Sequence, residues 1–294
     1  MNTVSFPALG ISLEIDRIAF RIGSWPVYWY GIIIACGFAL AVIYASVRSR
    51  KTGLSPDTLL DGVLIGAPVG IICARLYYCL FHFSEYAADP ASIVRIWDGG
   101  LAIYGGVIGA FLTVIVFCRV RKISAGNLLD LLAMGLLIGQ SIGRWGNFFN
   151  AEAYGRDIIA AADGSLPFYA MTLSNHPQAA VHPLFLYESL LNAILFIALH
   201  FFFNKRKFNG EVFLLYMAGY GLIRSFTEGI RGNDALLIWN TNIRVSQLLA
   251  VLFTAVSLAI LFIILYKRRS VKNEAAFVAM MDSIDKNTEE TGNE

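Results

Sequence analysis

Charged residues are scarce in this chain. Asp, Glu, Lys and Arg make up 15% of its 294 residues, whereas 57% are hydrophobic. Soluble domains carry roughly 25% charged residues. A chain this apolar needs lipid as its solvent, so the composition predicts an integral membrane protein and argues against a nucleic-acid partner. The net charge of +2 is uninformative by itself, because the positions of the charges matter more than their sum.

Cysteine and histidine are also rare, with four of each. The cysteines lie inside apolar runs and form no CxxC pair, and the histidines show no HExxH-like spacing. We therefore expect no disulfide, no metal site and no cofactor. The N-terminus lacks the basic start and short apolar core of a cleaved signal peptide, so the first apolar run is predicted to remain as a helix.

Apolar runs long enough to cross the roughly 30 Å hydrocarbon core predict an all-α protein with seven transmembrane helices. The predicted helices cover about 27–47, 59–81, 99–118, 128–142, 184–203, 212–230 and 245–266. Residues 1–24 are interpreted as an interfacial arm, and 156–183 as a polar external segment with a turn at Asp163-Gly164-Ser165. The predicted organisation is one membrane domain, 1–272, followed by a polar tail, 273–294.

Basic residues give this arrangement an orientation. The junctions after helices 1, 3, 5 and 7 hold 3, 3, 3 and 4 Lys or Arg residues, and the opposite junctions hold one or two each. The positive-inside rule then predicts an external N-terminus and a cytoplasmic C-terminus. No internal repeat is visible, which weakens a transporter built from two related halves.

The stretch 143–155, GRWGNFFNAEAYG, concentrates polar groups at the predicted outer end of helix 4. Ionisable groups at the edge of the hydrocarbon usually mark a functional site, although an interfacial helix end is the alternative interpretation. In helix 6, Tyr220, Arg224 and Glu228 follow at i, i+4 and i+8, which places them on one helix face. A helix-locking ion pair is the alternative here.

The same stretch reads G-R-x-G-N-F-x-N-x-E-x-x-G, which resembles the signature of prolipoprotein diacylglyceryl transferases. Further elements that look similar are Trp29-Tyr30-Gly31, His182-Pro183 with Tyr187-Glu188, and Tyr220-Gly221 with Arg224 and Glu228. The resemblance implies transfer of a diacylglyceryl group from phosphatidylglycerol to the lipobox cysteine of a prolipoprotein signal peptide. It also implies a bacterial inner-membrane location with the site facing the outer leaflet, and no cofactor.

The resemblance also implies site residues. The expected catalytic residues are Arg144, Arg224, Tyr104, Glu152 and Glu228. Those expected to bind phosphatidylglycerol are Arg144, Asn147, Tyr30, Tyr220, Asn150 and Gly155. Arginine binds phosphate through a planar fork that stays charged, and the two glutamates are expected to orient the guanidinium groups. At the start of helix 3 this chain looks similar to many family members, but they carry histidine where this chain has Tyr104. A histidine general base is therefore not expected at this position.

Three other functions compete with the transferase. A G-x-S-x-G match at 139–143 suggests a serine hydrolase, but that motif needs a strand–turn–helix context and here lies in an apolar helix. An anion transporter or lipid flippase would line its path with Arg75, Arg144 and Arg224. A membrane scaffold would not need paired buried arginines.

Overall fold

The fold is mostly helical. The structure, a computed structural model, describes residues 2–232 and 244–291, and the side chains of Glu85, Ala88, Asp98 and 271–291 lie outside that description. The α-helices in the described ranges are α1 (Trp29–Ser49), α2 (Pro56–Phe81), α3 (Phe83–Ala88), α4 (Ile103–Arg121), α5 (Ala125–Asn150), α6 (Leu184–Phe202), α7 (Glu211–Ile230) and α8 (Val245–Thr291).

Six of these helices are long and apolar enough to cross a membrane: α1, α2, α4, α5, α6 and α8. The chain is therefore a multi-pass membrane protein. The remaining long helix, α7, falls outside this group, and it carries Glu211, Arg224 and Glu228. It nevertheless packs in the bundle, against α8, α6 and α5.

Two predicted helix ends were too early. Helix α5 continues past Ile142 to Asn150, so most of the 143–155 stretch is helical. Gly143 and Gly146 lie inside this helix, and Gly146 allows close packing there, because a Cβ on it would lie 2.7 Å from the Tyr30 ring of α1. Helix α8 likewise continues past Tyr266 to Thr291, because helical geometry does not require apolar residues. Residues 292–294 of the predicted tail lie outside the described part.

The structure also contains two sheets that the all-α prediction omitted. The strands are β1 (Asn2–Phe6), β2 (Ile11–Ile15), β3 (Ile18–Ile22), β4 (Trp25–Tyr28), β5 (Asp157–Ile158), β6 (Met171–Leu173) and β7 (His176–Val181). One sheet has the order β2-β1-β6-β7-β5, and β3 and β4 form a hairpin. The predicted arm and external segment therefore join in one antiparallel sheet, since Val4 pairs with Leu173.

This sheet lies at the end of the bundle where α5 finishes and α6 begins. Val4, Met171, Leu173 and Val181 form a small core with Phe185 of α6. The predicted turn at Asp163 is present: Gly164 has φ +81°, and the Asp163 carboxylate accepts a hydrogen bond from Ser165 N at 2.9 Å. Hydrogen bonding with Ser165 lowers the pKa of Asp163.

At the opposite end of the bundle, buried Asp130 fixes α7 to α5. Its carboxylate accepts hydrogen bonds from Gly210 N at 2.9 Å and from Phe213 N at 2.8 Å, which are free donors at the start of α7. Arg206 Nε lies 3.6 Å from the same carboxylate. These contacts fix the position of α7 along its axis relative to α5, and they thereby fix the position of Arg224 relative to Arg144.

Candidate functional site

One buried carboxylate joins the two arginines named by the sequence. Glu188 of α6 forms an ion pair with Arg144 Nη2 of α5 through Oε2, and its Oε1 accepts a hydrogen bond from Arg224 Nη1 of α7 at 3.1 Å. The Glu188 side chain is 2% exposed, whereas Arg144 and Arg224 are 24% and 19% exposed. The guanidinium groups are therefore held from the protein side and remain accessible to a ligand.

Glu228 provides a second anchor for Arg224. Its Oε2 lies 2.6 Å from Arg224 Nη2, and the guanidinium groups of Arg231 and Arg244 lie at 3.8 and 3.9 Å. This confirms the helical i,i+4 pairing expected from the sequence. Arg244 also donates to the carbonyls of Glu228 at 2.5 Å and Arg231 at 2.8 Å, which ties the start of α8 to the end of α7.

The cluster has more positive than negative charge. Four arginines (144, 224, 231 and 244) face two carboxylates (188 and 228), which leaves a formal excess of two positive charges. Arginine binds oxyanions in bidentate geometry, and a partly desolvated site strengthens that attraction. The arrangement can therefore hold a phosphate group and stabilise negative charge that develops on it.

The two asparagines of the stretch connect Glu152 to this cluster. Asn147 Nδ2 and Asn150 Nδ2 both donate to Glu152 Oε1, at 3.1 and 3.2 Å. Arg144 Nη1 in turn donates to Asn147 Oδ1 at 3.4 Å. Glu152 was expected to orient the guanidinium groups together with Glu228. In the described structure it contacts the two asparagines, and its link to Arg144 passes through Asn147.

The backbone after α5 turns sharply to make this possible. Ala151 and Ala153 adopt left-handed conformations, with φ of +51° and +53°, which cost an L-residue roughly 1–2 kcal/mol each. Gly155 then passes close to the strand that leads to α6, because its N–H donates to His182 O at 2.9 Å and a Cβ would lie 2.6 Å from His182 Cβ. Gly155 therefore acts through close backbone approach.

His182 and Tyr187 orient the start of the helix that carries Glu188. His182 Nδ1 lies 3.3 Å from Tyr187 Oη, and its ring stacks on Tyr169 with centroids 5.4 Å apart. Burial lowers the pKa of His182, which favours the neutral form of its ring. Glu188 was noted in the sequence only as part of a resemblance and not assigned to the site. The signal that could have found it is a carboxylate within an apolar helix.

The two tyrosines on either side of the cluster occupy different settings. The ring of Tyr30 packs against Gly146 on one face of α5. Tyr220, one turn before Arg224, stacks on Tyr216 with centroids 5.7 Å apart. Tyr216 in turn accepts a hydrogen bond from Gln140 at 2.9 Å. Polar side chains therefore continue for one turn before Arg144 in α5 and for about two turns before Arg224 in α7.

Tyr104 lies in the first turn of α4 and is 41% exposed. In the described part of the chain it makes no hydrogen bond to Arg144 or Arg224. The loop before it is held by Arg75, which is 5% exposed and donates to the carbonyls of Gly99 at 2.6 Å and Gly100 at 2.9 Å.

Arg75 also donates to the carbonyls of Ile93, Ser92 and Arg95. With its donors directed at the backbone, Arg75 acts as a structural clamp and does not line an anion path with the other two arginines. The G-x-S-x-G match also has a structural explanation, since Ser141 lies within α5 and donates to Ser189 O at 2.9 Å. No strand–turn–helix surrounds it.

The fold and this site define a class: a multi-pass membrane protein with a partly exposed arginine pair where the bundle meets an extramembrane sheet. Comparison with known proteins is more specific. Residues 17–263 match the sequence model of the family described as prolipoprotein diacylglyceryl transferase. The chain belongs to this family.

Individual relatives extend over nearly the full length. The chain is 43% identical over 268 residues to the phosphatidylglycerol–prolipoprotein diacylglyceryl transferase of Oceanobacillus iheyensis, covering 90% of this chain and 92% of that protein. It is 40% identical over 262 residues to the enzyme of the same name from Limosilactobacillus reuteri, covering 86% and 93%. The enzyme of that name from Bacillus cereus is 39% identical over 265 residues, covering 88% and 95%.

Proposed function

We propose that this enzyme transfers the diacylglyceryl group of phosphatidylglycerol to the thiol of a prolipoprotein cysteine. The observation that carries the proposal is the pair Arg144 and Arg224, joined by buried Glu188 next to the family signature. The pair supplies two guanidinium forks for one phosphate at the boundary between hydrocarbon and water. The names of the relatives supply the two substrates.

The reaction is a displacement at carbon. The cysteine sulfur attacks the glyceryl carbon that bears the phosphate ester, a C–S bond forms, and the C–O bond to phosphate breaks. The products are a thioether and glycerol phosphate, and the thiol proton leaves to water, to the departing phosphate or to a carboxylate. Because negative charge accumulates on the phosphate, donors aimed at it accelerate the step, and removing one such donor typically costs about 3–4 kcal/mol.

The site residues take the following proposed roles. Arg144 and Arg224 bind the phosphate, and Glu188 and Glu228 hold those guanidinium groups in place. Asn147, Asn150 and Glu152 form one hydrogen-bonded wall beside Arg144 and position the lipid headgroup. Tyr30 and Tyr220 flank the headgroup, Gly155 allows the close backbone turn, and Tyr104 donates a hydrogen bond to the phosphate. In these roles no cofactor or metal takes part.

The proposed membrane arrangement places seven helices across a bacterial inner membrane, with α7 as the seventh. Its 20 residues correspond to about 30 Å of helix, and it packs among spanning helices. The alternating basic junctions favour an external N-terminus, an outward-facing site and a single membrane domain, 1–272, with a cytoplasmic tail, 273–294. A reporter fused after Lys205 should read cytoplasmic and one inserted at the Asp163 turn should read external; reversed readings would contradict this orientation.

The activity is tested with purified protein, phosphatidylglycerol and a synthetic lipobox peptide. We expect the peptide mass to increase by one diacylglyceryl group, with release of glycerol phosphate. A peptide with serine in place of cysteine and an assay with phosphatidylethanolamine serve as controls and should show no product. Headgroup movement across vesicles without peptide modification would support the transporter alternative instead.

A further inference from the structure

A large open cleft lies on the sheet side of the cluster. Its volume is about 1010 Å³, and it is bounded by the β2–β3 turn, strand β4, the start of α1 and the end of α5. The inner wall includes Tyr30, Asn150 and Glu152, and the outer wall includes Asp16 and Arg17. An occupant would therefore reach Asn150 and Glu152, and Glu152 is linked to Arg144 through Asn147.

The charges of the cleft do not suit a phosphate. Asp16 and Glu152 oppose a single cation, Arg17, and neither Arg144 nor Arg224 belongs to the lining. In the cleft, a phosphodiester would face a net formal charge of minus one. At the arginine cluster it would face a net formal charge of plus two. Coulomb energies separate the two places, so the lipid phosphate is directed to the arginines. The headgroup glycerol can still reach Tyr30, Asn150 and Glu152 at the inner wall, and the outer part of the cleft is left for a partner without a phosphate.

The size and walls of the cleft suit an extended peptide. Small-molecule pockets typically measure about 300–1,000 Å³, so this volume is at the upper end of that range and admits several residues. In the described part of the chain, β4 pairs with β3 on one side only, and β2 is an edge strand of the larger sheet. Unpaired strand edges offer main-chain hydrogen bonds to an extended chain.

We propose that this cleft binds the prolipoprotein segment that directly follows the reactive cysteine. The inference rests on the proposed function for the identity of the peptide. The polar downstream segment lies in the cleft, the apolar upstream segment stays in the bilayer, and the cysteine between them lies beside Asn150 and Glu152. The two substrates thus approach opposite sides of one wall, the lipid phosphate at Arg144 and the thiol peptide at Glu152.

Gly31 provides a direct test because it lines the cleft, and an added Cβ there has no atom within 4 Å. Gly31→Phe places a phenyl ring in the inner part of the cleft, and its Cβ meets no neighbouring atom. Ile43→Phe is the matched control, since it adds bulk on the same helix at a position that is 58% exposed and outside the cleft. The full-length protein in nanodiscs is titrated with labelled lipobox peptides that carry serine at the thiol position.

Two peptides are compared: one ends at that serine, and one extends several residues beyond it. We expect the longer peptide to bind the unsubstituted protein at least about tenfold more tightly, and Ile43→Phe to keep this difference. Gly31→Phe should abolish it while the KM for phosphatidylglycerol, measured in the transfer assay, stays within about twofold, a shift below 0.5 kcal/mol.

Equal binding of both peptides by the unsubstituted protein would overturn the inference, as would a length dependence that survives in Gly31→Phe. A raised KM for phosphatidylglycerol with unchanged peptide binding would assign the cleft to the lipid. Length-dependent binding lost in Gly31→Phe but without any transfer of lipid to a cysteine peptide would support the cleft and contradict the proposed function, so the two failures are distinguishable.

Discussion

Glu188→Gln tests whether the buried carboxylate sets the geometry of the arginine pair. The substitution keeps the shape and one acceptor oxygen but removes the negative charge shared by Arg144 and Arg224. Arg224 retains Glu228 at 2.6 Å. In the described structure, Arg144 has no second carboxylate within ion-pair distance. The substitution should therefore disturb the position of the Arg144 guanidinium group more than that of Arg224.

The expected magnitude follows from burial. Removing one partner of a buried, hydrogen-bonded charge pair costs about 2–5 kcal/mol. Because Arg144 is 24% exposed, solvent screens part of this loss, and we take the lower end, about 2–3 kcal/mol, or a fall in kcat of roughly 30- to 150-fold. The formal charge of the cluster rises by one, so the KM for phosphatidylglycerol should stay constant or fall.

The assay is steady-state transfer to a lipobox peptide with phosphatidylglycerol varied, together with thermal melting of the purified protein. Glu188→Asp keeps the charge and should recover part of kcat. Glu211→Gln is the control, because Glu211 is a buried glutamate, 3% exposed, at the other end of α7; it should change melting but not kcat. Normal kcat in Glu188→Gln, or a raised lipid KM at unchanged kcat, would refute the positioning role.

Three further predictions follow from the site. Arg144→Lys and Arg224→Lys keep the charge but lose the planar fork, so transfer should fall at least about 100-fold in folded, inserted protein; near-normal transfer in both would mean that the arginines only tie helices together. Tyr104→Phe should slow single-turnover transfer by less than about tenfold if it removes one neutral hydrogen bond, whereas a loss beyond about 100-fold that is rescued at higher pH would make Tyr104 the general base. Gly146→Ala should lower the melting temperature because its Cβ would lie 2.7 Å from the Tyr30 ring, while Gly139→Ala on the same helix has no atom within 4 Å and should be neutral or stabilising.

Local patterns in the sequence were sufficient for much of this protein. Apolar runs predicted the six helices that are long and apolar enough to span a membrane, because a helix in lipid satisfies its own backbone hydrogen bonds and needs only length and hydrophobicity. The Asp163 turn and the pairing of Arg224 with Glu228 could also be predicted, because each contact joins residues only two or four positions apart in the sequence. The signature of 143–155 was sufficient for the family.

The tertiary structure decided what depends on residues far apart in the chain. Strand β1 pairs with β6 across about 170 residues, and β1 and β6 carry no periodicity strong enough to reveal that partner. Glu188 joins Arg144 and Arg224 only because α5, α6 and α7 pack together, held at their far end by Asp130. Glu152 contacts two asparagines because the backbone turns at Ala151 and Ala153. Helix packing and strained turns are cooperative properties of the whole fold, so no short window of sequence contains them.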